Sequence, residues 1–129
     1  FGSETLISTL EAVKNSYNSY TMDSLALAVG EASIRDEAYF RETCRKVAAT
    51  RDRAADELRA LGFEVTPSLA NFLFATHPKK AAPEIFSALR EKGIFIRYFK
   101  LPRIDNHLRI TVGTDEQMDA LIAALKQIL

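Results

Sequence analysis

Long apolar runs are missing from this sequence: no stretch approaches the roughly 20 residues that a membrane-spanning helix requires, and the first residues enter a capped helical pattern rather than a signal peptide. Net charge is missing too. Lys and Arg number 17, as do Asp and Glu, so the chain lacks the basic footprint of a nucleic-acid binder or of a protein held to an anionic membrane. A single cysteine, Cys44, excludes a disulfide framework. It is expected to serve as a reduced, small apolar side chain within a helix, which points to a cytoplasmic setting. No glycine-rich phosphate loop of the P-loop or dinucleotide type occurs, and the serines lack a nucleophile-elbow context. His77 and His107 have no Cys, His or acid at ligand spacing, so a metal site is not expected. At 129 residues the length suits one domain with a real core. The first residue is Phe1 rather than Met, and the expectation drawn from it is a piece trimmed from a longer protein.

What is present divides into two styles. Ser3 can cap a helix whose stripe is Leu6, Ile7, Leu10 and Val13. The following "KNSYNSY" holds Asn and Ser residues whose side chains compete for backbone hydrogen bonds, and it reads as a turn or loop. From Met22 to Ile34 a nearly uncharged helix is predicted, apolar almost all round and in need of burial on several sides. A long connecting helix starts at Asp36, with Phe40, Cys44, Val47, Ala54, Leu58 and Leu61 on one face and Arg41, Arg45, Arg51, Arg53 and Arg59 elsewhere among acids; Gly62 closes it.

Beyond Gly62 the composition shifts to β-branched and aromatic residues. "FEVTP", "ANFLFATH", "IFIRYF" and "HLRITVG" read as strands. Between the second and third lies a helix begun by Pro83 and stopped by Gly93. Thr114 and Gln117 form a capping box for a last helix buried through Met118, Leu121, Ile122, Leu125 and Ile128. The expected fold is α+β: a three- to four-stranded sheet with helices packed on one face, preceded by the long helix. The α+β unit from residue 36 to 129 looks complete without residues 1–35, whose natural partner is expected to be absent.

Two arginines stand inside strand patterns, Arg97 in "IFIRYF" and Arg109 in "HLRITV". One reading makes them outward positions of a one-sided sheet, and pattern alone leans that way. The other makes them an anion site, because Arg captures carboxylate or phosphate with two parallel bonds. Arg103, on the loop between them, is a third basic residue that could join such a site or remain a loop charge. Most carboxylates read as solvated helix-surface partners of Arg or Lys and not as a general acid/base pair.

Taken in order, "VKNSYNSY", "DEAYFRETC", "ATRDRAADELRALGFEVTPSLANFLFA", "LREKGIFIRYF" and "LRITVGTDEQMDALIAAL" resemble the C-terminal part of histidinol-phosphate aminotransferases over essentially the whole chain. "NSYNSY", "SLANFLF" and the pair "RYF" and "LRITVGT" are the most specific pieces. The resemblance implies a homodimeric, fold-type I enzyme using pyridoxal phosphate to move an amino group between histidinol phosphate, a small phosphorylated amino substrate, and 2-oxoglutarate in histidine biosynthesis. It places Arg109 on the arginine that grips the substrate's acidic group and Arg97 on a second arginine at the phosphate end of the pocket. Tyr17 and Asn18 fall on a loop at the active site, reaching toward the substrate or the neighbouring subunit. Asn71 lies on a family-typical strand, where bonding of adjacent backbone is an equally good role.

The family's Schiff-base lysine, in a Ser-x-x-Lys-like context, has no counterpart here: Lys14, Lys46, Lys79, Lys80, Lys92, Lys100 and Lys126 all sit in other contexts. The resemblance therefore implies the small C-terminal domain (36–129) with a helical tail (1–35) of the large cofactor-binding domain, binding no cofactor and inactive alone. Two alternatives stay open: a free-standing α+β ligand-binding or oligomerisation module, and the same domain from an aromatic aminotransferase or a threonine-phosphate decarboxylase.

Overall fold

A computed structural model describes residues 2–129, which form two compact units divided between Phe40 and Arg41. The first unit contains α1 (Glu4–Tyr17), α2 (Ser24–Arg35) and the start of α3 (Glu37–Ala60). Ser3 caps α1 by accepting from the Leu6 N–H, and Asn18 closes it by donating its backbone N–H to the Lys14 carbonyl. α2 starts two residues later than the apolar run implied, because the Asp23 carboxylate accepts from the Ala26 N–H and makes Asp23 the N-cap. Neither helix has a buried residue, and Leu6, Leu10, Val13, Leu25, Leu27 and Val29 are all exposed. The burial expected of the 22–34 helix is not met among the described residues.

The second unit holds most of α3, then β1 (Glu64–Val65), β2 (Phe72–Thr76), α4 (Ala82–Glu91), β3 (Arg97–Tyr98), β4 (Leu108–Thr111) and α5 (Asp115–Ile128). This is the α+β order expected from the sequence. The sheet runs β1-β2-β4-β3, antiparallel throughout. Period-two alternation puts Leu73, Ala75, Leu108 and Ile110 on the buried face with Leu58 of α3, Ile85 and Leu89 of α4, and Met118, Leu121 and Leu125 of α5. Phe72, Phe74, Arg109 and Thr111 take the opposite face.

Local chemistry explains the boundaries. Gly62 has φ +91, which lets its N–H reach the Arg59 carbonyl and the Phe63 N–H reach the Leu58 carbonyl, so α3 ends in a Schellman turn. Thr114 and Gln117 bond each other's backbone in a capping box that starts α5. β1 and β3 are each only two residues long, shorter than "FEVTP" and "IFIRYF" implied.

Three expectations for α3 are corrected. Burial along it begins at Thr50, so Phe40, 60% exposed, and Cys44, also exposed, are not core residues. Arg51, expected on the polar face, is 8% exposed: its guanidinium bonds the Asp52 carboxylate at 2.8 and 2.9 Å, a pairing that makes its burial tolerable. Arg53 does reach solvent, and it ties α3 to α5 through Asp115 at 2.9 Å and Asp119 at 2.7 Å.

That tie has a pH signature. Arg53 first, and the Thr50 hydroxyl second, hold the Asp115 carboxyl below its ordinary value. A carboxyl depressed in the folded state stabilises it above the unfolded pKa, and the contribution disappears as pH falls through the folded value. In Arg53→Gln the Asp115 carboxyl, followed by carbon NMR, should titrate at higher pH than in the parent chain. An unshifted midpoint would show that Arg53 is not what stabilises the charged form.

Candidate functional site

β3 and β4 bring the two strand arginines together. Arg97 and Arg109 are directly opposed partners in the antiparallel register, so their side chains leave the sheet on the same face, away from the helices. Like charges set opposite one another repel. Arg35, Arg51, Arg53 and Arg59 each bond a carboxylate. Among the described residues, the guanidinium groups of Arg97 and Arg109 make no ion pair and no hydrogen bond, and Arg109 Nε is buried without an acceptor. A buried guanidinium N–H lacking a partner costs about 1–3 kcal/mol or more. An anion placed between the two strands would remove that cost, and the planar fork suits phosphate or carboxylate.

Aromatic rings take the place of acids here. The Phe99 ring lies 5.3 Å from the Arg97 guanidinium carbon and 5.6 Å from that of Arg109, and Phe72 lies 5.5 Å from Arg109 on β2. Next along this face, His107 stacks on Phe74 at 4.7 Å, and Phe74 is the register partner of Arg109. His107 immediately precedes β4 instead of beginning it. Asn106 fixes the loop beneath: its Oδ1 accepts from the Ala82 N–H and its Nδ2 donates to Thr76 Oγ1. Arg103, in the same loop, is exposed with φ +74, a left-handed conformation uncommon outside glycine.

The loop expected over residues 14–20 is shorter: Lys14–Tyr17 are the last turn of α1, Tyr17 is 92% exposed and Asn18 is the C-cap, so both belong to the first unit. Asn71 contributes its backbone: its carbonyl accepts from the Val112 N–H at 2.9 Å, extending the β2–β4 ladder. The aromatic partners of the arginines were not singled out from the sequence. The available signal was the period of two, which sets Phe99 on the side of Arg97.

The fold is an α+β unit whose open sheet face carries an unneutralised arginine pair. The family model for class I and II aminotransferases matches residues 1–125, and the chain belongs to that family. Among curated relatives, histidinol-phosphate aminotransferase 2 of Dechloromonas aromatica is 55% identical over 127 residues, 98% of this chain and 36% of the relative. The histidinol-phosphate aminotransferase of a Marinomonas species is 53% identical over 127 residues, 97% of this chain and 36% of the relative. The histidinol-phosphate aminotransferase of Sinorhizobium meliloti, solved in complex with pyridoxal-5'-phosphate, superposes with a TM-score of 0.78 at 30% identity, covering 94% of this chain and 34% of that one. N-Succinyldiaminopimelate aminotransferase from Mycobacterium tuberculosis superposes at 0.69 with 26% identity, covering 99% and 36%. The chain thus spans about a third of the length of the relatives it matches.

Among the described residues, no lysine is placed to hold pyridoxal phosphate as a Schiff base. A Schiff-base lysine is held in a secluded pocket, yet Lys14, Lys46, Lys79, Lys92, Lys100 and Lys126 are exposed, and Lys80, half-buried, donates to the Ile128 carbonyl. Among the described residues, no helix is long and apolar enough to cross a membrane.

Proposed function

We propose that this chain is the C-terminal part of a histidinol-phosphate aminotransferase and that its task is to hold the substrate's anionic end. Residues 36–129 are the small domain, and residues 1–35 belong with the large domain that carries the cofactor lysine. The observation that carries this reading is the opposed Arg97–Arg109 pair, which among the described residues has no carboxylate partner and includes a buried Nε–H without an acceptor. Arg109 grips the phosphate of histidinol phosphate or the carboxylate of the amino-group partner, and Arg97 completes the grip at the phosphate end. Tyr17 and Asn18, exposed at the end of α1, reach toward the substrate or toward the second subunit of a cytoplasmic homodimer. The exposed apolar stripes of α1 and α2 fit helices that pack on the large domain.

The family match across 1–125 sets aside the free-standing module. The names of the relatives favour histidinol phosphate over an aromatic amino acid or threonine phosphate as substrate.

Pyridoxal phosphate, the family's electron sink, would be held by residues outside this chain. Mixed with the cofactor, this chain should show no new absorbance band from a covalently held cofactor and no amino transfer to 2-oxoglutarate, whereas the full-length protein should show both. A lysine of this chain trapped on the cofactor by borohydride reduction would contradict the division of labour.

A further inference from the structure

We infer that Phe99 is a positioning residue for the anion grip: one aromatic ring holds the Arg97 and Arg109 guanidinium groups side by side and ready for a single anion. This rests on the reading of the two arginines as a grip and adds what keeps them there. Opposed like charges on neighbouring strands push each other apart, and long arginine side chains have many rotamers to choose from. Phe99 faces both, with its centroid 5.3 Å from one guanidinium carbon and 5.6 Å from the other, within the distance at which a ring's negative face attracts a cation. Phe72 adds a second ring, at 5.5 Å, to Arg109 alone.

A carboxylate in the position of Phe99 would neutralise the pair and compete with the incoming anion. A ring attracts the cations and leaves their hydrogen-bonding forks open. Phe99 is not spent on ordinary packing either: it is neither in the buried core nor among the partly buried side chains packed against it, whereas its neighbour Tyr98 is. Its ring therefore belongs to the arginine face, and it lowers the ordering cost that substrate binding would otherwise carry.

The test uses the full-length protein, with inorganic phosphate as a competitive inhibitor against histidinol phosphate. Phe99→Leu keeps an apolar side chain and loses the π face. Its inhibition constant for phosphate and its KM should rise roughly 5- to 30-fold, the loss expected of two modest cation–π contacts, with kcat little changed. Phe99→Tyr should restore both. Progressive fluorination of the Phe99 ring, which weakens its negative face with little change of size, should raise the phosphate constant step by step even if Phe99→Leu fails to fold. Absence of a trend with fluorination overturns the positioning role. Arg109→Gln separates the two ideas. If that change leaves phosphate inhibition intact, the grip itself is wrong and Phe99 has nothing to position; if it abolishes inhibition while fluorination does nothing, the grip stands and Phe99 is only a filler.

Discussion

Arg109→Gln in the full-length protein is expected to lower kcat/KM for histidinol phosphate by roughly 10- to 150-fold, the equivalent of losing a charge-assisted hydrogen bond of about 1.5–3 kcal/mol. Glutamine keeps much of the length and some polarity of arginine but not the charge or the planar fork. The change also leaves Arg97 without its partner across the β3–β4 register. Arg109→Lys should recover only part of the loss, because an ammonium supplies charge without two parallel bonds. Circular dichroism should show a folded protein in both variants, since the guanidinium lies on the face away from the helices and makes no hydrogen bond among the described residues. An unchanged kcat/KM in Arg109→Gln would remove the residue from the substrate site.

Ile110→Ala, one position along the same strand, should act on stability. Ile110 is 2% exposed, opposes Leu73 across β2, and lies on the face covered by α3, α4 and α5. Removing a buried Ile side chain loses its transfer free energy and leaves a cavity, at a combined cost of about 2–5 kcal/mol. Thr111→Ala, exposed on the opposite face, should change stability by no more than about 0.5 kcal/mol. Urea unfolding of this chain measures both. Equal losses at the two positions would mean that the period-two alternation of β4 does not separate a core face from a site face.

That alternation also governs how much could be read from the sequence. The helix stops and starts with local chemistry were legible: Gly62 and its left-handed φ, Pro83 at the head of α4, and the Thr114–Gln117 box all act within a few residues. Helix faces were legible only where a partner exists within the chain. Phe40 and Cys44 share the stripe of Leu58, but packing on α3 begins at Thr50, and no pattern within a helix records where its neighbour ends. Arg51 carried no mark of burial, since its escape from water depends on its own pairing with Asp52 and on the Ala70 carbonyl 19 residues away. β1 and β3 were overestimated because propensity ignores how many residues find a hydrogen-bonded neighbour.

The site was legible in its residue types and not in its arrangement. Arg97 and Arg109 stood out as charges in apolar strands, but pattern alone leaned toward separate outward positions. What joins them is register, a non-local property: twelve residues apart in sequence, they are direct partners across β3 and β4. That the half-buried Phe99 is shared by both cations became visible only with that pairing.

The most direct test of the account compares amino donors in the full-length, cofactor-loaded protein: kcat/KM for histidinol phosphate, for histidinol and for phenylalanine, each with 2-oxoglutarate, in the parent protein and in Arg97→Gln. The account predicts that histidinol phosphate is the best donor by well over tenfold and that Arg97→Gln narrows its lead over histidinol, since only the phosphorylated substrate uses that arginine. Phenylalanine equal to or better than histidinol phosphate, or a lead over histidinol that survives Arg97→Gln intact, would contradict it.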